Sequence, residues 1–103
     1  MSPTQRSLKY LRDMGYPADV VEKWIPRANI RRDMFGIIDI VALDGLTGVL
    51  GVQTTTASNV SARIKKARTI PEIVIWLERG NRLHFHGWAK KKGRWMVTVL
   101  DYV

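Results

Sequence analysis

The chain has 103 residues, 17 Lys and Arg against 9 Asp and Glu, and a formal net charge of +8. That length supports one domain, and a hydrophobic content of 46% argues against wholesale disorder. The absence of cysteine excludes a disulfide scaffold and a thiolate zinc site.

Residues 2–14 are predicted as a helix, with Ser2 as N-cap and Pro3 at the first helical position. Leu8, Leu11 and Met14 recur on one face beside Tyr10, and Gly15 supplies a stop. Residues 19–25 form a predicted strand through the β-propensity of Val20, Val21, Trp24 and Ile25. Residues 26–33 follow as a basic loop that carries Arg27, Arg31 and Arg32. Residues 35–43 are almost continuously apolar, the pattern of a central strand covered on both faces. A five-residue turn over 44–48 leads into a return strand over 49–56.

Residues 58–67 are expected to be helical, with Ser58 as N-cap and Val60, Ile64 and Ala67 facing inward. Over 70–79 the β-propensity of Val74, Ile75 and Trp76 competes with helix signals from Pro71, Glu72 and Gly80. The helix is preferred because Ile73, Trp76 and Leu77 fit its spacing. Strands over 83–88 and 95–102 are joined by a hairpin tip at 89–93. The expected architecture is α/β, a mixed β-sheet flanked by helices in the order α-β-β-β-α-α-β-β, forming a single domain over residues 1–103.

A pI near 10.3 points to a polyanionic partner, foremost nucleic acid. No apolar run approaches the roughly 20 residues of a membrane span, and the basic stretch at residues 1–12 lacks a signal-peptide core. A cytoplasmic location without membrane attachment is therefore expected. Asn59, Arg63 and Lys66 share a helix face, flanked by Lys65 and Arg68. This is the pattern of a solvated helix face; beside Arg31 and Arg32 it also makes a candidate phosphate-binding surface. Lys90, Lys91, Lys92 and Arg94 at the hairpin tip fit a solubility feature better than a binding site.

Asp39 breaks the apolar run, and an unpaired carboxylate there is costly. With a five-residue turn, Leu43 faces Val49, Val41 faces Gly51 and Asp39 faces Gln53, with Thr55 on the same face as Gln53. Two readings stay open. Asp39 is satisfied by hydrogen bonds from these neighbours, or carboxylate and amide oxygens hold a divalent cation.

The stretches Asp33-Met34-Phe35-Gly36-Ile37-Ile38-Asp39-Ile40, Gly51-Val52-Gln53-Thr54-Thr55 and Ser58-Asn59-Val60-Ser61-Ala62-Arg63 resemble a small phage or bacterial branch of the PD-(D/E)xK nuclease superfamily. That superfamily includes archaeal-type Holliday-junction resolvases and stand-alone VRR-NUC domains. The resemblance runs from about Leu8 to Trp88. It implies a restriction-endonuclease-like core and Mg²⁺- or Mn²⁺-dependent hydrolysis of phosphodiester bonds in DNA, with selectivity for branched structures. It also implies a homodimer, working in the bacterial or phage-infected host cytoplasm. Carried over by position, Asp39 matches the metal-binding Asp. Gln53 stands where the family has Glu or Asp, Thr55 stands where it has Lys, and Glu22 is the candidate N-terminal acid. The resemblance thus gives Asp39, Gln53, Thr55 and Glu22 as catalytic candidates and Asp39 with Gln53 as metal ligands. Arg31, Arg32, Asn59, Arg63, Lys65 and Lys66 are the candidate nucleic-acid contacts. Lys65 or Lys66 could replace the missing lysine, and Asp33 or Glu22 the missing acid. Without such replacement the resemblance implies a catalytically inactive DNA-binding protein.

His84 and His86 share a strand face, for which packing or surface roles are expected over a zinc half-site. The four Trp residues are expected to be core or interface anchors rather than base-stacking platforms.

Overall fold

The computed structural model describes residues 1–102. The first helix, α1 (Pro3–Asp13), begins as its sequence dictates: the Gln5 amide donates to Ser2 Oγ at 3.1 Å, with Pro3 in the first turn. Its buried face is Ser7, Leu8 and Leu11. Gly15 at φ 87° releases the chain from the helix, a conformation that costs glycine little.

The expected strand over 19–25 is two strands. β1 (Ala18–Val20) joins the main sheet; β2 (Lys23–Ile25) leaves it and pairs antiparallel with β3 (Ile30–Arg32) in a separate ribbon. The turn between them is closed by the Asn29 amide on the Pro26 carbonyl at 3.2 Å, with Asn29 at φ 52°. The basic loop expected at 26–33 therefore contains a strand. Glu22 sits in the break between β1 and β2 rather than on a strand.

The apolar run 35–43 is likewise not one strand. Phe35 at φ 56° and Gly36 at φ 77° turn the chain tightly, and the backbones of Met34 and Ile38 bridge. Two successive left-handed residues cannot continue a strand. Ile37 and Ile38 are still fully buried, as a plug under the helices rather than as sheet. Only β4 (Ile40–Ala42) is strand.

The antiparallel register of β4 with β5 (Leu50–Thr56) is the one the turn arithmetic predicts: Ala42 opposite Leu50, Val41 opposite Gly51 and Ile40 opposite Val52. A 3₁₀ turn (Ala57–Asn59) leads into α2 (Val60–Ala67) and then α3 (Pro71–Glu78). The helix expected to start at Ser58 starts at Val60; neither Ser58 nor Asn59 caps it, and Ser58 Oγ instead meets Thr56 Oγ1 at 3.2 Å. β6 (Arg82–Lys91) and β7 (Arg94–Asp101) extend further toward each other than expected, joined by Lys92 and Gly93, both at positive φ. That is the two-residue turn whose twist matches a hairpin.

The five-stranded sheet runs β1-β4-β5-β6-β7. β5 and β6 are parallel and the other neighbours antiparallel. Parallel neighbours need a crossover, which α2 and α3 supply. Each face carries a core. Leu8, Leu11, Ile40, Ala42, Leu50 and Val52 pack under α1. Ile37, Ile38, Val60, Ala67, Ile73, Leu83 and Phe85 pack under α2 and α3. At the far end of β4, the Arg82 guanidinium grips Asp44 with both nitrogens and holds its carboxyl below the usual range.

Candidate metal centre

Three segments place carboxylates together. Glu22 comes from the break after β1, Asp33 follows β3, and Asp39 precedes β4. Their nearest ligand oxygens all lie within 4.8 Å of one another, with Asp39 buried and the other two half-buried. The ribbon explains the meeting: β2 and β3 run out and back, so the residues at its two ends, Glu22 and Asp33, return to one place.

Asp39 is held from the β5 side. Gln53 Nε2 donates to Asp39 Oδ2, as do the Thr54 amide at 2.8 Å and the Thr54 hydroxyl at 3.1 Å. These donors all fall on Oδ2, which leaves Oδ1 to the acids. Burial, then the adjacent Asp33 carboxyl, push Asp39 up to about 8, against the lowering effect of the Thr54 hydrogen bonds. Without a bound cation, Asp39 therefore holds its proton well above the usual carboxylate range.

The amide of Gln53 is 1% exposed, and its Oε1 has no hydrogen-bond partner. A buried carbonyl oxygen left unpaired is uncommon and calls for a partner. Three carboxylates and an orphaned amide oxygen are a hard-oxygen donor set of the kind Mg²⁺ and Mn²⁺ accept. The residues therefore fit a divalent cation.

A cleft of about 620 Å³ opens beside Asp33 and is lined by Lys23, Arg32, Phe35, Lys66 and Glu72 among others. Lys66 thus comes from α2 to the acid side of the sheet, while Lys65 is exposed and does not line the cleft. Arg31 reaches Glu22 at 3.2 Å. Asn59 lies in the exposed 3₁₀ turn, and Arg63 is half-buried on α2.

Three residues alter the picture drawn from sequence. The threonine that reaches Asp39 is Thr54, whose own backbone amide and hydroxyl both point there. Strict alternation favoured Thr55, which is buried in β5 but is not among the donors to Asp39. Thr54 also meets Thr4 of α1 at 2.8 Å, hydroxyl to hydroxyl. Asp33 enters as a full member of the acid cluster, and Lys23 enters the cleft. The charge of Lys23 was visible in sequence, but its place depends on the ribbon.

The histidines have different surroundings. His86 Nδ1 meets Ser7 Oγ at 2.9 Å, and Trp88 Nε1 donates to the same oxygen at 2.8 Å. The direction of the Ser7–His86 bond follows the imidazole tautomer, and burial and the neighbouring His84 push His86 down to about 4. Ser7 is fully buried, so this is a packing knot between α1 and β6. His84 lies 3.8 Å from Asp101 at the sheet edge. Of the tryptophans, Trp88 is buried, whereas Trp24 and Trp95 are 51% and 45% exposed. Trp88 is thus a core anchor, while Trp24 and Trp95 lie at the surface.

No helix among the described residues is long and apolar enough to cross a membrane. Compared with family models, curated proteins and solved structures, the chain finds no match.

Proposed function

We propose that the chain is a metal-dependent endonuclease that hydrolyses phosphodiester bonds in DNA, built on a PD-(D/E)xK-like core. The observation that carries this reading is the convergence of Glu22, Asp33 and Asp39 at the edge of a cleft lined by cations, with the Gln53 amide hydrogen-bonded to Asp39 and its own Oε1 unpartnered. The element order supports it. The resemblance implies a helix, three strands, a helix and a strand, and α1, β1, β4, β5, the helical crossover and β6 follow that order in the main sheet, with Asp39 just before β4 and Gln53 on β5.

Asp39, Asp33, Glu22 and Gln53 would hold the cation, Mg²⁺ or Mn²⁺. When bound, it would supply Lewis-acid polarisation of a phosphate oxygen and a lowered pKa for water. The protein's own residues do the rest. Gln53 and Thr54 fix the Asp39 carboxylate from one side and aim its free oxygen at the cluster. Acids at Asp33 and Glu22 make up for the missing charge at Gln53. Lys66 and Lys23 put positive charge beside Asp33, a substitute for the lysine missing at Thr55, where they would stabilise the charge that develops on phosphate. Arg31, Arg32, Asn59, Arg63 and Lys65 would grip the backbone outside the site, and two copies related by a two-fold axis would suit a branched substrate.

A catalytically inactive DNA-binding protein is the second reading. It is favoured by Thr55, which puts no cation on β5 next to Gln53. Cleavage of labelled duplex, single-stranded, flap and four-way-junction DNA with Mg²⁺ or Mn²⁺ separates the two. Metal-dependent cleavage that falls at least about 100-fold in Asp39→Ala is the expected outcome. Salt-sensitive binding without cleavage under every metal would establish the second reading instead.

A further inference from the structure

The ribbon of β2 and β3 belongs to neither core cluster, and all its residues except Ile25 are exposed. Between Lys23 and Arg32 it has four cationic side chains, Lys23, Arg27, Arg31 and Arg32, and no acid. Trp24 stands directly opposite Arg31, on the ribbon face away from the Lys23 and Arg32 pair. Half of Trp24 is open to solvent, although burying an indole is among the larger gains a small domain can make. A solvent-exposed indole among arginines suits a partner that is anionic and presents flat π faces. Duplex DNA offers phosphates but keeps its base faces stacked. An unpaired strand offers both.

The ends of the ribbon set the location. Glu22 immediately precedes Lys23, Asp33 immediately follows Arg32, and Arg31 reaches back to Glu22 at 3.2 Å. The ribbon therefore begins and ends at two of the three clustered acids.

We propose that residues 23–32 form a gripping arm for unpaired nucleotides, with Trp24 stacking on an extruded base while Arg31 on the same face and Arg27 at the turn neutralise the flanking phosphates. The preferred ligand is DNA with an unpaired stretch against a duplex, as at a flap or branch. This inference deepens the nuclease reading and rests on it only for the chemistry that follows binding.

The test is binding of labelled oligonucleotides by fluorescence anisotropy in EDTA, where metal-dependent cleavage cannot occur. The probes are a plain duplex and the same duplex with an unpaired tail. Trp24→Leu, which keeps apolar bulk but no ring, should weaken tailed-DNA binding about tenfold or more and change duplex binding by less than about twofold. Trp24→Phe should recover most of the loss, which a merely structural role would not predict. Circular dichroism confirms that each variant is folded, and Arg27→Ala at the turn should weaken both probes and lower the salt dependence. Equal losses on both probes, or no loss with Trp24→Leu, would overturn the proposal. So would Trp24-dependent binding to phosphatidylserine vesicles with no preference for tailed DNA. Trp24-sensitive binding without cleavage in Mg²⁺ or Mn²⁺ would overturn the nuclease reading alone; cleavage without Trp24 sensitivity would overturn the arm alone.

Discussion

Between about pH 4 and pH 8 the folded, metal-free protein keeps a proton on Asp39 that the unfolded chain has already lost, because burial and the Asp33 carboxyl raise Asp39 from 3.8 to about 8. The native state binds more protons across that window, so this group's contribution is complete below about 3.8 and is lost as pH rises through about 8. Asp39→Asn has no such proton to lose. The stability of the wild type relative to Asp39→Asn should therefore fall steadily from pH 4 to pH 8, as read from urea midpoints in EDTA; a flat difference would mean that folding does not raise Asp39. Cation binding reverses the preference, since it needs the carboxylate and displaces the proton. Metal affinity should accordingly rise with pH over the same window, and a pH-independent affinity would remove Asp39 from the ligand set.

At the scale of elements, the site depends on how closely α2 lies on β6. The contact is made at Gly87, where a Cβ would come 2.6 Å from Val60 Cγ2 and 3.1 Å from Ala57 Cα. The second neighbour is backbone and cannot rotate aside. Gly87→Ala should cost about 1–3 kcal/mol, measurable as a lower urea midpoint with an unchanged slope. The same push would displace α2, and with it Lys66, from the cleft. The elements also show where pattern reading holds and fails. β4 and β5 pair in the expected register because one covered face and a fixed turn length leave a single alignment. β2 and β3 were hidden because Trp24, Ile25 and Ile30 have the propensity of a buried strand, while nothing in their order says that they leave the sheet.

For the whole molecule, the acid cluster joins three chain segments that a metal-free protein holds against their mutual repulsion. A cation that binds the folded form alone should add about 2.7 kcal/mol at a hundredfold excess over its Kd. Mg²⁺ or Mn²⁺ should therefore raise Tm in a concentration-dependent way, EDTA should reverse the rise, and Asp39→Asn should abolish it. An equal rise in Asp39→Asn would place the cation elsewhere. The charge of +8 should give DNA binding a steep salt dependence.

Several features were set by the chain's local chemistry: the bounds of α1, through Ser2, Pro3 and Gly15; the pairing of Asp39 with Gln53; and the mixed α/β order. Periodicity, caps and turn length act over a few residues, and a sequence displays them directly. Only the tertiary structure brought Glu22 and Asp33 to Asp39, turned Thr54 rather than Thr55 onto that carboxylate, and carried Lys23 and Lys66 to one cleft. Those meetings depend on where the ribbon leaves the sheet and on how α2 crosses it. Both are outcomes of packing among distant segments, which no local pattern encodes.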